Sequence, residues 1–323
     1  MEVTGTANSL QLTVPFGISR GTKTSADTIV VAITANGQTG YGEAVPYARY
    51  RENPASSLKD IESLPGSFDR NSLLELLPAG AARNAADAAL WDLEAKTSGK
   101  PVWQLAGLTD PKPLPMGYTV SLKSTPEMIS DAEKHSGVRL IKIKLGGTDD
   151  ANALRGIRKA APEARLIVDA NEGWSITQFS QIVETLVEAR VELVEQPVES
   201  KFDNELADVQ CPIPLCADES FQPGADPGDL ADAYGFVNIK LDKSGGLTKA
   251  LADLASARQL GLGVMVGCMV GSSLSIAPAF LLAQLADYSD LDGFFSIAED
   301  HEHPMTLEAG FVTAPQKLWG YPN

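Results

Sequence analysis

The fold turns on the stretch Arg139-Leu-Ile-Lys-Ile-Lys-Leu-Gly146. Lys142 and Lys144 alternate with Ile141, Ile143 and Leu145. A strand has a side-chain period of two, so both ammonium groups share one face and the aliphatic residues the other. On a half-buried strand this is an ordinary solvated lysine face. Here the stretch lies within a chain that keeps alternating strands and helices, and parallel strands in such chains are covered on both sides. Two lysines in a covered strand need a purpose. A β/α barrel supplies one, because the inward-facing end of each strand looks into the active-site mouth.

Working outward, the alternation continues on both sides. Strands are expected at Met116–Ser121, Leu140–Leu145, Arg165–Asp169, Val191–Glu195, Ile213–Asp218, Val237–Leu241, Gly263–Cys268 and Gly293–Ile297. Helical stretches fall between them, notably Leu247–Leu260 and Ser272–Ala286. Lys144, Asp169, Glu195, Asp218 and Lys240 recur about every two dozen residues. That period predicts a parallel, closed sheet. Upstream, Asp27–Thr34 and Gln38–Glu43 flank Asn36-Gly37 as a hairpin. The stretch 15–23 and the stretch 47–54 read as loops rich in cations. Ala81–Lys96 reads as a small-residue helix stopped by Gly99-Lys-Pro101. The fold class is therefore α/β: a (β/α)7β modified TIM barrel with an N-terminal α+β capping domain. The expected division is a cap over 1–110, a barrel over 111–300 and a tail over 301–323 that packs back on the cap.

The chain has 323 residues and a formal net charge of −16. Such a charge argues against a nucleic-acid or anionic-membrane partner. An anionic substrate would need local positive charge to be held. Cys211, Cys216 and Cys268 lack metal-ligand spacing and an even count, which suits a reduced, cytoplasmic protein. The start has no basic region followed by an apolar stretch, so no signal peptide is expected. No apolar run reaches the length of a membrane span.

The chemistry gathers at the strand ends. Asp169 (Leu-Ile-Val-Asp-Ala-Asn), Glu195 (Leu-Val-Glu-Gln-Pro) and Asp218 (Leu-Cys-Ala-Asp-Glu-Ser) follow one another. Each alone is as well explained as a turn or cap residue. Three successive carboxylates flanked by lysines are not. Together they could not all stay ionised without compensation. An all-oxygen donor set favours Mg²⁺ over zinc. Lysines on either side suit proton abstraction from a carbon acid, with burial and a nearby cation lowering the lysine pKa.

These motifs resemble the enolase superfamily. The set is Lys-x-Lys, Asp-Ala-Asn, Glu-Gln-Pro, Ala-Asp-Glu-Ser and Asn-Ile-Lys, and the likeness is to the muconate-lactonizing-enzyme-like branch and its dipeptide epimerases. Further stretches carry the likeness across nearly the whole chain: Pro-Tyr-Ala-Arg-Tyr (46–50), Leu-Pro-Ala-Gly-Ala-Ala-Arg-Asn (77–84), Asn-Ile-Lys-Leu-Asp-Lys-Ser-Gly-Gly-Leu-Thr (238–248), Gly-Cys-Met (267–269) and Asp-Leu-Asp-Gly (290–293). In that superfamily a Lys or His base works with Mg²⁺.

The resemblance implies one Mg²⁺ per subunit on Asp169, Glu195 and Asp218. It implies Lys144 and Lys240 as the two acid/base groups and Lys142 as an electrostatic helper. Asp290 and Asp292 would bind the free ammonium of a small dipeptide. The implied reaction interconverts L-Ala-D-Glu and L-Ala-L-Glu by 1,1-proton transfer, within murein peptide metabolism in the cytoplasm. A homo-oligomer is compatible with it. For the substrate's side-chain carboxylate Arg20 is the first choice, with Lys23, Arg49 and Arg51 competing. Cys268 and Met269 would line the pocket. Glu219 is expected to support the ligands from behind.

Each assignment has a plainer reading. Lys142 could be a structural lysine, Asp290-x-Asp292 an acidic turn, and each loop cation a solvated surface residue. Gly245-Gly246 could cradle a phosphate at a helix start. The only histidines are His135, His301 and His303, none at a late strand end, so a histidine base of the mandelate racemase kind is not expected. Rival functions are another member of the superfamily (a dipeptide epimerase of other specificity, a cycloisomerase, o-succinylbenzoate synthase or acylamino-acid racemase), a Schiff-base aldolase, and a non-catalytic binding barrel.

Overall fold

The computed structural model describes residues 1–18, 21–308 and 310–322. Arg20 lies outside the described residues. The chain opens with β1 (Glu2–Ile18), β2 (Gly21–Ala35) and β3 (Gln38–Ala44), an antiparallel sheet in chain order. Asn36 and Gly37 take φ of 53° and 76°, the left-handed pair that a tight hairpin turn demands. The stretch 15–23 differs from its expectation as a loop. After a register shift between Gln11 and Phe16, Phe16 pairs with Lys23 and Ile18 with Gly21. The ladder already running between β1 and β2 carries on through it, because each further pair satisfies more backbone groups.

Next come α1 (Pro54–Glu62), α2 (Arg70–Leu76), α3 (Ala81–Ser98) and α4 (Val102–Leu105). Helix α3 is almost wholly buried, which its alanines permit. It lies directly on β3, where a Cβ at Gly40 would sit 2.1 Å from Ala89 O and one at Gly42 2.2 Å from Ala85 O. Only glycine opposite alanine allows that approach. Gly99, at φ 70°, ends the helix as expected.

The remainder runs β4 (Leu114–Pro115), β5 (Gly117–Val120), α5 (Thr125–Lys134), β6 (Leu140–Lys144), α6 (Asp150–Ala160), β7 (Arg165–Asp169), α7 (Ile176–Glu188), β8 (Val191–Glu195) and β9 (Leu215–Ala217). It continues with β10 (Phe236–Lys240), α8 (Leu241–Ser244), α9 (Leu247–Gln259), β11 (Gly263–Gly267), α10 (Ser273–Ala283), β12 (Tyr288–Asp290), β13 (Thr306–Glu308) and β14 (Phe311–Thr313). Strands β5 to β12 form one eight-stranded parallel sheet in which each strand pairs with the next in sequence. This is the near-barrel of the expected fold class, with the antiparallel cap before it. Two connections depart from α-helix: the stretches 200–208 and 227–230 are 3-10 turns.

The eighth strand also differs. Gly293–Ser296 is a 3-10 turn, and Tyr288–Asp290 takes the eighth place by pairing with Met265–Gly267. Tyr-Ser-Asp carries no run of branched apolar residues, so periodicity passed over it. Gly293 packs against the β11 loop, where a Cβ would sit 2.3 Å from Met269 O.

The opening stretch behaves as its alternation requires. Ile141, Ile143 and Leu145 are fully buried in the main core, which includes Leu154 and Ile157 of α6. Each such side chain contributes roughly 2 kcal/mol. A separate small cluster of Ile167, Leu193, Cys216 and Met265 fills part of the interior. Lys142 and Lys144 are buried too. The last residues return to the cap: Trp319 Nε1 donates to Ala88 O at 3.0 Å and Gly320 N to Asp92 Oδ1 at 2.9 Å. Among the described residues no helix is long and apolar enough to cross a membrane.

Candidate active site

The carboxyl ends of β6 to β10 place five of the expected residues around one centre. Asp169, Glu195 and Asp218 end or follow three adjacent strands, and all three are buried. Turns with positive φ at Asn171 (45°), Glu172 (65°) and Gln196 (36°) follow two of these strands. Such angles cost energy outside glycine and cluster at functional sites. Here hydrogen bonds hold the turns. Asn171 N donates to Asp169 Oδ1 at 2.9 Å, and Gln196 Oε1 accepts from Asp218 N at 3.0 Å and Ser220 N at 2.9 Å.

Lys142 Nζ lies 2.6 Å from Glu195 Oε2, 3.1 Å from Asp169 Oδ2 and 2.6 Å from Asp290 Oδ2. Lys144 Nζ donates to Asp169 Oδ2 at 2.6 Å. Lys240 Nζ donates to Asp218 Oδ2 at 2.7 Å. In an eight-stranded barrel β6 and β10 stand four strands apart, so Lys144 and Lys240 face each other across the mouth with the carboxylates between them.

Electrostatics divides the three carboxyls. Burial opposes ionisation of Asp169, yet Lys144 and Lys142 bring it down to about 2. Asp218 is held well below the usual range, its burial outweighed by Lys240 and Lys243. Glu195 is pushed up to about 7 by burial and by the charge of Asp169. Two of the lysines are shifted as well. Burial pulls Lys240 down, but Asp218 and Glu195 outweigh it and leave the ammonium held well above its ordinary value. Lys142 is held up the same way, against its burial, by Asp290, Glu195 and Asp169. At Lys142 and Lys240 the neighbouring carboxylates outweigh burial.

A cleft of about 690 Å³ opens above this cluster, between strand ends and cap. Lys142, Lys144, Lys240, Asp218, Asp290, Asp292, Cys268 and Met269 all line it. So do Lys23, Tyr47 and Tyr50 from the cap. Lys23 Nζ sits 4.7 Å from the centre of the Tyr47 ring. Arg49 does not line it; its guanidinium pairs with Glu172 Oε1 at 2.6 Å. Burial and Asp290 push Asp292 up to about 6. The Cys268 thiol is pushed up strongly, by burial first, which suits a pocket wall and not a nucleophile. Gly245 and Gly246 hold no room for a phosphate: a Cβ there would meet the Arg83 guanidinium at 2.5 Å and the Asp87 carboxylate at 2.6 Å. They are where α3 docks on the barrel.

Two family models match the chain. "Mandelate racemase / muconate lactonizing enzyme, N-terminal domain" matches residues 1–107 and "Enolase C-terminal domain-like" residues 127–320. The chain belongs to the enolase superfamily. A relative from Pseudoalteromonas, an N-acetyl-D-glutamate racemase, is 42% identical over 90% of this chain and 95% of its own. The L-Ala-D/L-Glu epimerase of Escherichia coli is 38% identical over 93% and 95%. A crystal structure of an Agrobacterium tumefaciens enolase-family member with homology to dipeptide epimerases, with bound sodium and L-Ala-L-Glu, superposes with TM-score 0.95. It is 42% identical and covers 98% of this chain and 99% of that one. These likenesses make the chain an isomerase of the racemase and epimerase kind.

Enolase-superfamily chemistry calls for a cation, and the donor set suits one. All three carboxyls are oxygen donors, and Glu195 Oε2 is buried yet accepts no hydrogen bond of sound geometry, although Lys142 Nζ is near. Among the described residues no three acidic, histidine or cysteine groups are gathered at coordinating distance, because ammonium groups stand between the carboxylates. The residues fit a hard cation by chemistry and by burial. Four polar residues lie within the quoted motifs but carry no role assigned from sequence: Gln196, Asn238, Lys243 and Tyr50. Asn238 Nδ2 donates to Glu195 Oε1 at 2.7 Å. The glycine at the β11 end leaves space for that amide. A Cβ at Gly267 would lie 2.7 Å from Asn238 Oδ1 and 3.1 Å from Lys240 Cε.

Proposed function

We propose that the chain epimerises L-Ala-D-Glu and L-Ala-L-Glu at the glutamate Cα by a two-lysine proton transfer. The observation that carries this is the placement of Lys144 and Lys240 four strands apart, with three buried carboxylates on the strand ends between them. In this reading one lysine takes the Cα proton and the other returns a proton to the opposite face. Asp169, Glu195 and Asp218 hold one Mg²⁺ per subunit. When bound, the cation supplies positive charge to the substrate α-carboxylate as the Cα–H bond breaks. Lys142 adds a fixed positive charge on the same side. Asp292 receives the dipeptide ammonium, with Asp290 beside it. Lys23 is the described cap cation best placed for the side-chain carboxylate.

The Agrobacterium neighbour, which holds L-Ala-L-Glu, supports the substrate. Murein peptide metabolism in the cytoplasm, a homo-oligomer, and the division into cap (1–110), barrel (111–300) and tail (301–323) belong to the same proposal. The test is a dipeptide library in D₂O scored by mass for Cα deuterium. Absence of exchange in every Xaa-Glu dipeptide with Mg²⁺ present refutes it.

A second reading, an N-acylglutamate racemase, is favoured by one observation. Asp290 is already paired with Lys142, which weakens the case for an ammonium site. The Pseudoalteromonas relative agrees with it. Comparing kcat/KM for N-acetyl-D-glutamate and L-Ala-D-Glu decides between the two.

A further inference from the structure

Asp218 carries two ammonium groups of unequal standing. Lys240 Nζ, on Oδ2, belongs to a side chain that is 13% exposed and lines the cleft. Lys243 Nζ is on Oδ1 at 2.7 Å, and its side chain is 1% exposed and sealed from the cleft. Its remaining donors go to Asp218 O at 2.6 Å and Asn238 O at 3.2 Å. An ammonium has three protons, so Lys243 is saturated, and two of its acceptors are backbone. Moving it would strand buried carbonyls. Lys240 can leave Oδ2 toward the cleft; Lys243 cannot leave Oδ1. Asn238 also donates to Glu195, so the same lysine braces the strand that orients a second carboxylate.

We propose that Lys243 is a positioning residue. It pins Asp218 Oδ1 so that Oδ2 alone faces the cleft as a cation ligand. This rests on the reading of Asp218 as a ligand. The effect separates from simple electrostatics by sign. Removing a nearby positive charge should by itself tighten cation binding. Losing the group that orients a ligand should weaken it, by roughly ten- to a hundredfold.

The test is Mg²⁺ titration by calorimetry on the full chain, with no substrate, for wild type, Lys243→Met and Lys240→Met. Far-UV CD and melting report whether each variant is folded. Weaker Mg²⁺ binding in folded Lys243→Met, with Lys240→Met equal to or tighter than wild type, is the expected result. Wild-type or tighter binding in Lys243→Met overturns the proposal, as does an equal loss in Lys240→Met. Should Lys243→Met not fold, Lys243→Gln decides by the same criterion, since its amide can reach the backbone carbonyls but carries no charge. Absence of Mg²⁺ binding in wild type would instead overturn the ligand reading itself.

Discussion

Lys142 Nζ lies 2.6 Å from Asp290 Oδ2, joining the middle of β6 to the end of β12. The contact separates two aspartates that the sequence grouped together. Asp290 has a lysine partner, while Asp292 makes no ion pair with a lysine or arginine among the described residues. On the proposed reading Asp290 acts through Lys142, and Asp292 is left to meet the ligand's ammonium. Asp290→Asn should lower kcat by about 30-fold, roughly 2 kcal/mol of transition-state stabilisation, for dipeptide and N-acetyl substrates alike. Asp292→Asn should raise KM about tenfold for dipeptides only, the loss of roughly 1.4 kcal/mol of binding. Steady-state kinetics on both substrate classes checks the pair. Identical profiles for the two variants would mean that the aspartates act as one unit.

The two lysines should be separable by isotope. If Lys144 and Lys240 each serve one face, Lys144→Ala and Lys240→Ala each lose epimerisation by at least about a thousandfold, roughly 4 kcal/mol. Each variant should still exchange the Cα proton of one epimer with D₂O, and the two should differ in which. Two-way epimerisation surviving in either variant would falsify the two-base scheme.

Much of this site was legible in the sequence, for one physical reason. Strand ends in a parallel barrel recur at a fixed period, so Lys144, Asp169, Glu195, Asp218 and Lys240 could be brought together from spacing alone. The fold class followed from the same alternation. What escaped depends on contacts without a period. Lys243 follows Lys240 in a stretch where nothing distinguishes a saturated buried ammonium from a surface one. Gln196 reads as part of a turn, yet its amide spans two strand ends. Arg49 looked like a substrate cation because its partner, Glu172, is 123 residues away.

Cap docking should leave a pH signature. Asp87 on α3 is buried, accepts hydrogen bonds from Thr248, and is pushed up to about 6 by burial. Its folded pKa is raised, so its contribution to stability is fully present below the unfolded value of about 4 and is lost as pH rises through 6. The loss is on the order of 3 kcal/mol. Asp87→Asn keeps an acceptor for Thr248 N and removes the charge. Chemical denaturation at pH 4.5 and pH 7 should therefore show a smaller difference in the variant than in the wild type. An unchanged difference would place the titration elsewhere.

The proposed glutamate-containing substrate carries a side-chain carboxylate as well, into a protein of net charge −16. Burying it requires a cation. Arg49 is spent on Glu172, and that pair ties the cap stretch carrying Tyr47 and Tyr50 to the loop after Asp169. Lys23 is on the cleft wall, with its ammonium against Tyr47. A cation on an aromatic face is held weakly enough to turn to a carboxylate, since the two contacts differ by a kcal/mol or so at an accessible site. Lys23→Met should lower kcat/KM for L-Ala-L-Glu at least about tenfold more than for L-Ala-L-Leu, a selectivity of roughly 1.4 kcal/mol. Arg49→Met should lower both by similar factors, because it loosens a wall that every substrate touches. Competition assays with the two dipeptides in one vessel read the ratio directly. Equal losses in Lys23→Met would leave Arg20 and Arg51 as the candidate cations, and Arg20→Met or Arg51→Met should then show the selectivity that Lys23→Met lacked.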